Sequence, residues 1–295
     1  MNAIRLSDAF AAAARESLDR LREGEARVRA EDLEGLHLMR TAARRLRAGV
    51  AHLGRHLPRE RRSSLKDGLR RLMRILGAVR DLDVLRGAVA SAPLAPADAD
   101  ALRTRAWRKM QRPVARMREE LDGDAYRALL ASVGAAIAVP AVATRATDAG
   151  PGRLWSAIRE TLAGRPADWT ADDVALHELR KSVKRLRYAL EAFAPAYGRP
   201  VVRMIERCRD LQEALGAVQD AATFASALRG CRTFAAGQFL ATVAARAGGV
   251  RSDLPRLWRR AFGPRRLARL GAHLLRRAAE TAPVEAPAPG EASVA

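Results

Sequence analysis

The chain has 295 residues, of which 48% are hydrophobic, and a formal net charge of +20. This length predicts about two domains of ordinary size with a substantial core, and such an excess of positive charge attracts polyanions. The two cysteines, Cys208 and Cys231, are too few for a disulfide framework and show no metal-ligand spacing, so a disulfide-stabilised scaffold and a cysteine-ligated metal site are excluded.

Arginine greatly outnumbers lysine. Of the 53 basic residues, only Lys66, Lys109, Lys181 and Lys184 are lysines. The planar guanidinium group suits phosphate oxygens better than an ammonium group does. A GC-rich genome would also favour arginine codons whatever the function, and composition alone leaves both explanations open. Codon bias does not account for the net charge itself.

Helix-favouring residues dominate along the whole chain, and the alternation of β-branched residues that is typical of strands is missing. Breaks are predicted at Pro58, residues 91–96, residues 195–200, Pro255 and Pro264. Thr170 and Asp173 resemble a capping box that begins a helix. Residues 139–152 are rich in Pro and Gly and predict a hinge. The predicted organisation is a helical half at 1–140, a hinge at 141–152, a second helical half at 153–280 and a disordered tail at 281–295.

No segment is predicted to cross or enter a membrane. The longest uncharged run, residues 128–144, has 17 residues, mostly Ala and Val, and predicts a buried helix rather than a membrane span. The N-terminal ten residues lack the pattern of a secretory signal. With only two cysteines, a reducing, cytoplasmic location is expected.

A histidine-led basic motif occurs twice. Leu36-His37-Leu38-Met39-Arg40 recurs 140 residues later as Leu176-His177-Glu178-Leu179-Arg180. Basic residues follow at 44, 45 and 47 in the first copy and at 184, 185 and 187 in the second. Such self-similarity indicates two related halves.

A second motif supports the duplication. Residues 76–81 (LGAVRD) recur at 215–220 (LGAVQD). A glycine within a helix costs about 1 kcal/mol relative to alanine. We therefore interpret Gly77 and Gly216 as places where two helices approach closely; a simple helix break is the alternative. Gln219 stands where the first copy has Arg80, so the halves are not equivalent.

Helical geometry places the motif beside the core. At about 100° per residue, one arc of each motif helix is apolar and an adjacent arc is basic. The apolar arcs are Leu36, Met39, Ala43, Leu46, Val50 and Leu53, then Leu176, Leu179, Val183, Leu186, Leu190 and Phe193. We call the basic arcs the stripes: His37, Arg40, Arg44 and Arg47, then His177, Arg180, Lys184 and Arg187. Arg45 and Arg185 project further round.

Each stripe has two interpretations. A solvated basic face is one; a phosphate-binding track is the other, and recurrence beside the core favours it. More basic residues follow the stripes and are expected in the same groove: Arg70, Arg71, Arg74 and Arg80, then Arg203, Arg207 and Arg209. Asp81, Asp83 and Asp220 are expected to pair with some of these cations.

A metal role for the histidines is not expected, because a metal site generally needs three or four ligands. Neither His37 nor His177 has a second histidine on its helical face. His52 and His56 are four residues apart, but the second half has no counterpart. Each motif histidine is expected to hydrogen-bond a phosphate or to orient a neighbour.

The Leu-His-x-x-Arg motif with its trailing basic residues resembles the signature of the CHAD family, the conserved histidine α-helical domain. Residues 176–198 are an especially close match, and the LGAVRD and LGAVQD segments resemble a second recurring motif of the family. The resemblance covers roughly residues 1–280. It implies an all-α fold of two four-helix bundles with pseudo-two-fold symmetry around a basic central groove. It also implies binding of inorganic polyphosphate and association with polyphosphate granules.

The predicted function is non-enzymatic polyphosphate binding, with no cofactor, no metal and no catalytic residue. The predicted site comprises the eight stripe residues with Arg45, Arg70, Arg71, Arg74, Arg80, Lys181, Arg185, Arg203 and Arg207. Granule proteins are possible partners that the resemblance suggests. Nucleic-acid binding is the alternative, although few aromatic residues are available for base stacking. A metal-dependent phosphohydrolase is a third hypothesis, for which Asp81 and Asp83 are the candidate carboxylates.

Overall fold

The computed structural model describes residues 4–32, 34–170 and 173–281, and over these residues the protein is all-α. The predicted fold class is confirmed. The helices of the first half are α1 (Leu6–Arg29), α2 (Glu34–His52), α3 (Arg59–Ala90), α4 (Pro96–Asp122) and α5 (Asp124–Ile137), with a 3₁₀ turn at Gly54–His56. Those of the second half are α6 (Ala146–Ala163), α7 (Asp173–Tyr197), α8 (Arg199–Ala227), α9 (Phe234–Phe262) and α10 (Pro264–Glu280).

The two halves share their order of packing. Consecutive helices from α1 to α4 pack on one another, as do those from α6 to α9. The last helical segment of each half is broken at a glycine, Gly123 or Gly263, where the backbone is extended. These glycines are 140 residues apart, as the motif histidines are. The pseudo-two-fold relation between the halves stays a prediction.

Both predicted apolar arcs are buried, which confirms the helical periodicity. Leu36, Met39, Leu179 and Phe193 have no exposed surface, and each such side chain contributes about 1.5–3 kcal/mol through burial. The largest hydrophobic core runs through both halves, and α2 packs directly on α7. A second cluster, which we call the distal cluster, joins α3, α4, α8 and α9 through residues such as Leu85, Phe224 and Phe239.

The segment expected to be a hinge is partly helical. Helix α6 begins at Ala146 and contains Pro151, which has no N–H group to donate to the carbonyl four residues earlier. The hydroxyl of Tyr197 donates to that carbonyl, on Thr147, at 2.8 Å. The helix therefore tolerates the proline because a side chain of α7 supplies the missing donor.

Other predicted boundaries agree in part with the structure. The breaks predicted at residues 195–200 and at Pro264 are confirmed, because α7 ends at Tyr197 and α10 begins at Pro264, whereas Pro255 lies inside α9 and does not interrupt it. Helix α7 begins at Asp173, and the hydroxyl of Thr170 donates to the carboxylate of Asp168. The expected tail lies outside the described residues from 282 onward.

The uncharged run forms α5 and the segment after it. Leu129, Val133 and Ala136 are buried on one face of α5, which ends at Ile137. The predicted buried helix is thus buried on one side only, because Ala128, Ala131 and Ala135 of the opposite face are exposed. Among the described residues, no helix is both long and apolar enough to span a bilayer.

Candidate functional site

A large cavity lies where the two halves meet. Its volume is about 1540 Å³, and its wall is formed by residues of α2, α3, α4, α7, α8 and α9. Four predicted site residues line it: His37, Arg44, Arg80 and Arg180. They come from both halves of the chain. The predicted groove at the centre of the fold therefore contains basic residues of both motif helices.

Four stripe cations form what we call the central cluster: Arg40 and Arg44 of α2 with Arg180 and Lys184 of α7. All four are partly buried. Burial lowers the pKa of Arg180, and Arg44 of the other half acts in the same direction. Burial, and after it the three other members of the cluster, lowers the pKa of Lys184 to about 7. The two stripes therefore lie close enough for their charges to repel.

No carboxylate neutralises the central cluster. In the described part of the chain, none of its four members has an ion pair within 4.0 Å. The buried Nε atoms of Arg44 and Arg180 also lack hydrogen-bond partners there. The nearest acids, Asp81 and Asp220, influence the cluster only through longer-range attraction. Burial raises the pKa of Asp220, and Arg180 acts in the opposite direction.

The repeated glycines leave space for the cluster. A Cβ atom on Gly77 of α3 would lie 3.1 Å from Nη1 of Arg40, and one on Gly216 of α8 would lie 3.5 Å from Nη2 of Arg180. No backbone atom of another helix lies within 4 Å of either position. Our interpretation of a close helix–helix approach is therefore wrong: each glycine faces a guanidinium group, and only at Gly77 would a Cβ atom crowd it.

The other stripe residues have different surroundings in the two halves. His177 hydrogen-bonds through Nδ1 to Oε1 of Gln219 at 2.7 Å. His37 instead faces Arg80, the residue at the position equivalent to Gln219; burial and then Arg80 lower the pKa of His37. The inequivalence expected from Arg80 and Gln219 thus gives the two histidines different neighbours.

An amide, a carboxylate and an aromatic ring contact the guanidinium of Arg187. Its Nε atom donates to Gln212 at 2.9 Å and its Nη1 atom to Glu191 at 2.8 Å. The guanidinium also lies 4.6 Å from the ring centroid of Tyr188, and Arg44 lies 5.9 Å from the same centroid. Arg47 is exposed and contacts Sδ of Met73 at 3.9 Å.

Several other predicted site residues are paired with acids outside the central cluster. The pairs are Arg45 with Glu16, Arg70 with Asp67, Arg71 with Glu120, Lys181 with Glu178, and Arg185 with Glu160. Arg74 and Arg209 are exposed. The expected pairing of Asp83 is confirmed, because it contacts Arg80 at 2.6 Å and Arg86 at 3.2 Å.

Arg203 and Arg207 also lie apart from the cavity lining. The pKa of Arg207 is lowered, mainly by burial and then by repulsion from Arg266, Arg260 and Arg203. These residues belong to the corner where α8, α9 and α10 meet. The structure therefore does not bring Arg203 or Arg207 to the central cluster, because they project from a different face of α8 than Gly216 does.

Sequence reasoning missed the distal wall of the cavity. Arg86, Arg103, Trp107 and Arg246 line it, and the guanidinium of Arg86 lies 5.8 Å from the ring centroid of Trp107. None of them belongs to a repeated motif; the position 140 residues after Trp107 is Ala247. The sequence indicates only on which face of α3, α4 or α9 each residue lies, and it does not indicate which helix packs against that face.

The described residues contain no group of three or more His, Cys, Asp and Glu side chains placed to hold a metal ion. Nδ1 of His56 donates to the carbonyl of Leu53 at 3.2 Å, and the ring packs edge-on against Phe10. His52 has its pKa lowered to about 4, by burial and then by Arg153. Structural surroundings thus account for both histidines of the i, i+4 pair.

Comparison with known proteins identifies the family. A family model of the CHAD domain matches residues 12–229. The chain belongs to the CHAD domain family. The crystal structure of the CHAD domain from the plant Ricinus communis is similar, with 25% identity, a TM-score of 0.63 and coverage of 93% of each chain.

A second solved structure shares the CHAD fold seen here. PptA from Streptomyces chartreusis is 19% identical with a TM-score of 0.62, covering 86% of this chain and 99% of that one. No curated protein matches the chain. Membership of the CHAD family agrees with the position of the histidine-led motifs, since both lie within the matched residues.

Proposed function

We propose that this CHAD protein binds inorganic polyphosphate, without enzymatic activity, through the central cluster. The observation that supports this most directly is the cluster itself. Four partly buried cations from two helices share one region without a carboxylate within ion-pair distance among the described residues. Like charges held together in this way disfavour the empty state. A polyanion supplies the missing counter-charge.

Polyphosphate fits the charge arrangement better than a single small anion does. It is linear, has closely spaced negative charges and carries no bases, so a row of guanidinium groups suffices to bind it. Each charge-assisted hydrogen bond contributes about 1.5–3 kcal/mol where it is partly desolvated. Because the two stripes lie on the neighbouring helices α2 and α7, a single polyphosphate molecule can make several such contacts.

A binding role without catalysis is consistent with the nearby carboxylates. Phosphoryl transfer usually uses Mg²⁺ held by clustered carboxylates. Asp83, one of the two candidates in the sequence, is bonded to two arginines, and its counterpart in the second half is Ala222. We assign no catalytic residue and no cofactor. Phosphate release from polyphosphate by the purified protein with Mg²⁺ or Mn²⁺ would contradict this assignment.

We further propose that the protein associates with polyphosphate granules in the cytoplasm and meets granule proteins there. A fluorescent fusion would co-localise with granules in cells that accumulate polyphosphate. In cells that make none, the same fusion would be diffuse. Granule-like foci that persist without polyphosphate would show that another partner recruits the protein.

The decisive experiment is a competition titration. A labelled polyanion bound to the protein should be displaced by long-chain polyphosphate, and the affinity should fall steeply with salt because binding releases counter-ions. Duplex DNA at equal salt is the comparison. Stronger binding to DNA would favour the nucleic-acid alternative, and no displacement by polyphosphate would refute the proposed function.

A further inference from the structure

The central cavity has an aromatic side chain in its wall that polyphosphate binding does not use. Trp107 of α4 is 45% exposed, although a tryptophan side chain gains free energy by being buried. Its ring lies 5.8 Å from the guanidinium carbon of Arg86, and both residues line the cavity. An exposed indole next to a cation is a surface on which a planar aromatic ring stacks well.

The cavity wall has two chemically distinct parts. His37, Arg44 and Arg180 form a cationic part at the motif helices. Val84, Val243 and Phe239, which belong to the distal cluster or pack against it, form an apolar part of the same wall, which Trp107 also lines. A chain of phosphates has no apolar surface, so the apolar part contributes nothing to polyphosphate binding. A ligand that matches the whole wall has an anionic end and an aromatic end.

The dimensions and the polar groups agree with such a ligand. A volume of about 1540 Å³ leaves room for such a ligand, since small-molecule sites usually have roughly 300–1,000 Å³. Asp100, Thr104 and Thr242 also line the cavity. Asp100 contacts Arg103, and the hydroxyl of Thr242 donates to the carbonyl of Gln238, so these two residues offer acceptors to the edge of a planar base. Arg246 adds a positive charge to the distal wall.

We propose that the central cavity also binds nucleoside polyphosphates, with the phosphates at the cationic part and the base stacked on Trp107. This site adds a ligand class to the proposed function, on which it rests for the phosphate contacts. The base supplies what inorganic polyphosphate lacks, an aromatic face for the apolar part of the wall. A nucleoside with three or more phosphates is expected to bind better than a monophosphate, because more oxygens reach the cations.

Calorimetry with two matched ligands tests the proposal. Inorganic tripolyphosphate carries at least as much negative charge as ATP, so any advantage of ATP comes from its nucleoside. In EDTA at constant ionic strength, we expect ATP to bind about tenfold more tightly than tripolyphosphate, equivalent to about 1.4 kcal/mol. In Trp107→Leu, that ratio should fall to about one, whereas the affinity for tripolyphosphate should change less than about twofold.

Two further variants make the result specific. Trp107→Phe keeps an aromatic face and should retain part of the advantage of ATP. Trp155→Leu is the matched control, because Trp155 is also exposed, at 36%, but packs beside Gly271 of α10 and should leave the ratio unchanged. Both Leu variants replace exposed side chains, and circular dichroism verifies their folding.

The outcomes separate this proposal from the proposed function. Equal binding of ATP and tripolyphosphate, unaffected by Trp107→Leu, would overturn the nucleotide site while polyphosphate binding stands. If long-chain polyphosphate, tripolyphosphate and ATP all failed to bind, the proposed function itself would be refuted. A short single-stranded oligonucleotide that bound more tightly than ATP through Trp107 would overturn the proposal in favour of nucleic acid.

Discussion

Arg44 and Arg45 are adjacent on α2, carry the same charge and have different surroundings, which makes them a matched pair for mutation. Arg44 lines the central cavity, and its Nε atom has no hydrogen-bond partner in the described part of the chain. Arg45 projects about 100° further round the helix and contacts Glu16 of α1 at 3.3 Å. Arg44→Ala and Arg45→Ala each remove one positive charge, so the long-range attraction for a polyanion changes equally.

The expected losses of affinity differ by an order of magnitude. Arg44→Ala removes a partly desolvated, charge-assisted contact of about 1.5–3 kcal/mol, which corresponds to a roughly ten- to 150-fold weaker affinity for polyphosphate. Arg45→Ala removes an exposed charge with a contribution of about 0.2–1 kcal/mol, or at most about fivefold. Arg44→Lys should lie between them, because charge remains but the bidentate geometry is lost.

Fluorescence anisotropy with labelled polyphosphate at physiological salt measures these affinities, where the Debye length of about 8 Å limits contributions from distant charges. Thermal unfolding of the unliganded variants is the control. Arg44→Ala should unfold no earlier than the wild type, since it removes a buried Nε donor without a partner and relieves repulsion from Arg180, and it loses only a 3.4 Å contact with Thr41. Equal losses of affinity in the two Ala variants would refute the reasoning, because binding would then depend on net charge alone.

Three other predictions concern proton linkage, the repeated glycines and α6. The pKa of Lys184 is about 7 in the folded protein, whereas its reference value of 10.5 describes the unfolded chain. At pH values between about 7 and 10.5, the unfolded state therefore binds more protons than the folded state does. Chemical denaturation should therefore show stability rising with pH from about 7 to about 10, and Lys184→Met should lack this contribution. Gly216→Ala should stabilise α8 by up to about 1 kcal/mol and leave the affinity for polyphosphate unchanged, because the new Cβ atom would lie 3.5 Å from the guanidinium of Arg180. Gly77→Ala should lower the affinity for polyphosphate, because its Cβ atom would lie only 3.1 Å from the guanidinium of Arg40. Tyr197→Phe should lower the free energy of unfolding by about 1–3 kcal/mol, measured with urea, because the carbonyl of Thr147 loses its donor.

Each of these predictions has a clear contrary result. Parallel pH profiles for the wild type and Lys184→Met would show that Lys184 stays protonated in the folded, unliganded protein. Identical affinities for the two glycine variants would mean that the guanidinium of Arg40 moves freely. A Tyr197→Phe variant with wild-type stability would show that another group satisfies the carbonyl beside Pro151.

The sequence predicts well those features that depend on one helix alone. The apolar arcs of α2 and α7 follow from a periodicity of 3.6 residues, and the structure buries all of them, including Leu36 and Leu186. The same periodicity places Arg40 and Arg180 beside the core. Duplication then predicts two equivalent stripes, because a repeated sequence folds into a repeated element.

Features that depend on two helices are predicted poorly. The faces of α3 and α8 are set by the helices packed against them, so Arg70, Arg71, Arg203 and Arg207 could not be assigned from spacing. Trp107 lacks a repeated counterpart, and its role depends on Arg86 of another helix. A contact of this kind leaves no periodic signal in a single sequence.

Helix breaks illustrate the same distinction. When only the local backbone is considered, Pro151 and Pro255 are predicted to interrupt their helices, because proline has no N–H group to donate to the carbonyl four residues earlier. In α6 the hydroxyl of Tyr197 replaces that bond from more than forty residues away in sequence. Tertiary contacts thus determine whether a proline ends a helix.

The energetics of the central cluster link the fold to its ligand. Arg40, Arg44, Arg180 and Lys184 repel one another, and burial weakens the hydration that would stabilise their charges. The main hydrophobic core, which contains residues of both helices, holds α2 and α7 together in spite of this repulsion. A bound polyanion removes the repulsion and binds only the folded state, so it should raise the unfolding temperature. At concentrations above the dissociation constant, this increase should grow with the logarithm of the polyanion concentration. The residues that oppose folding of the empty protein are thus the ones that a phosphate chain would stabilise most.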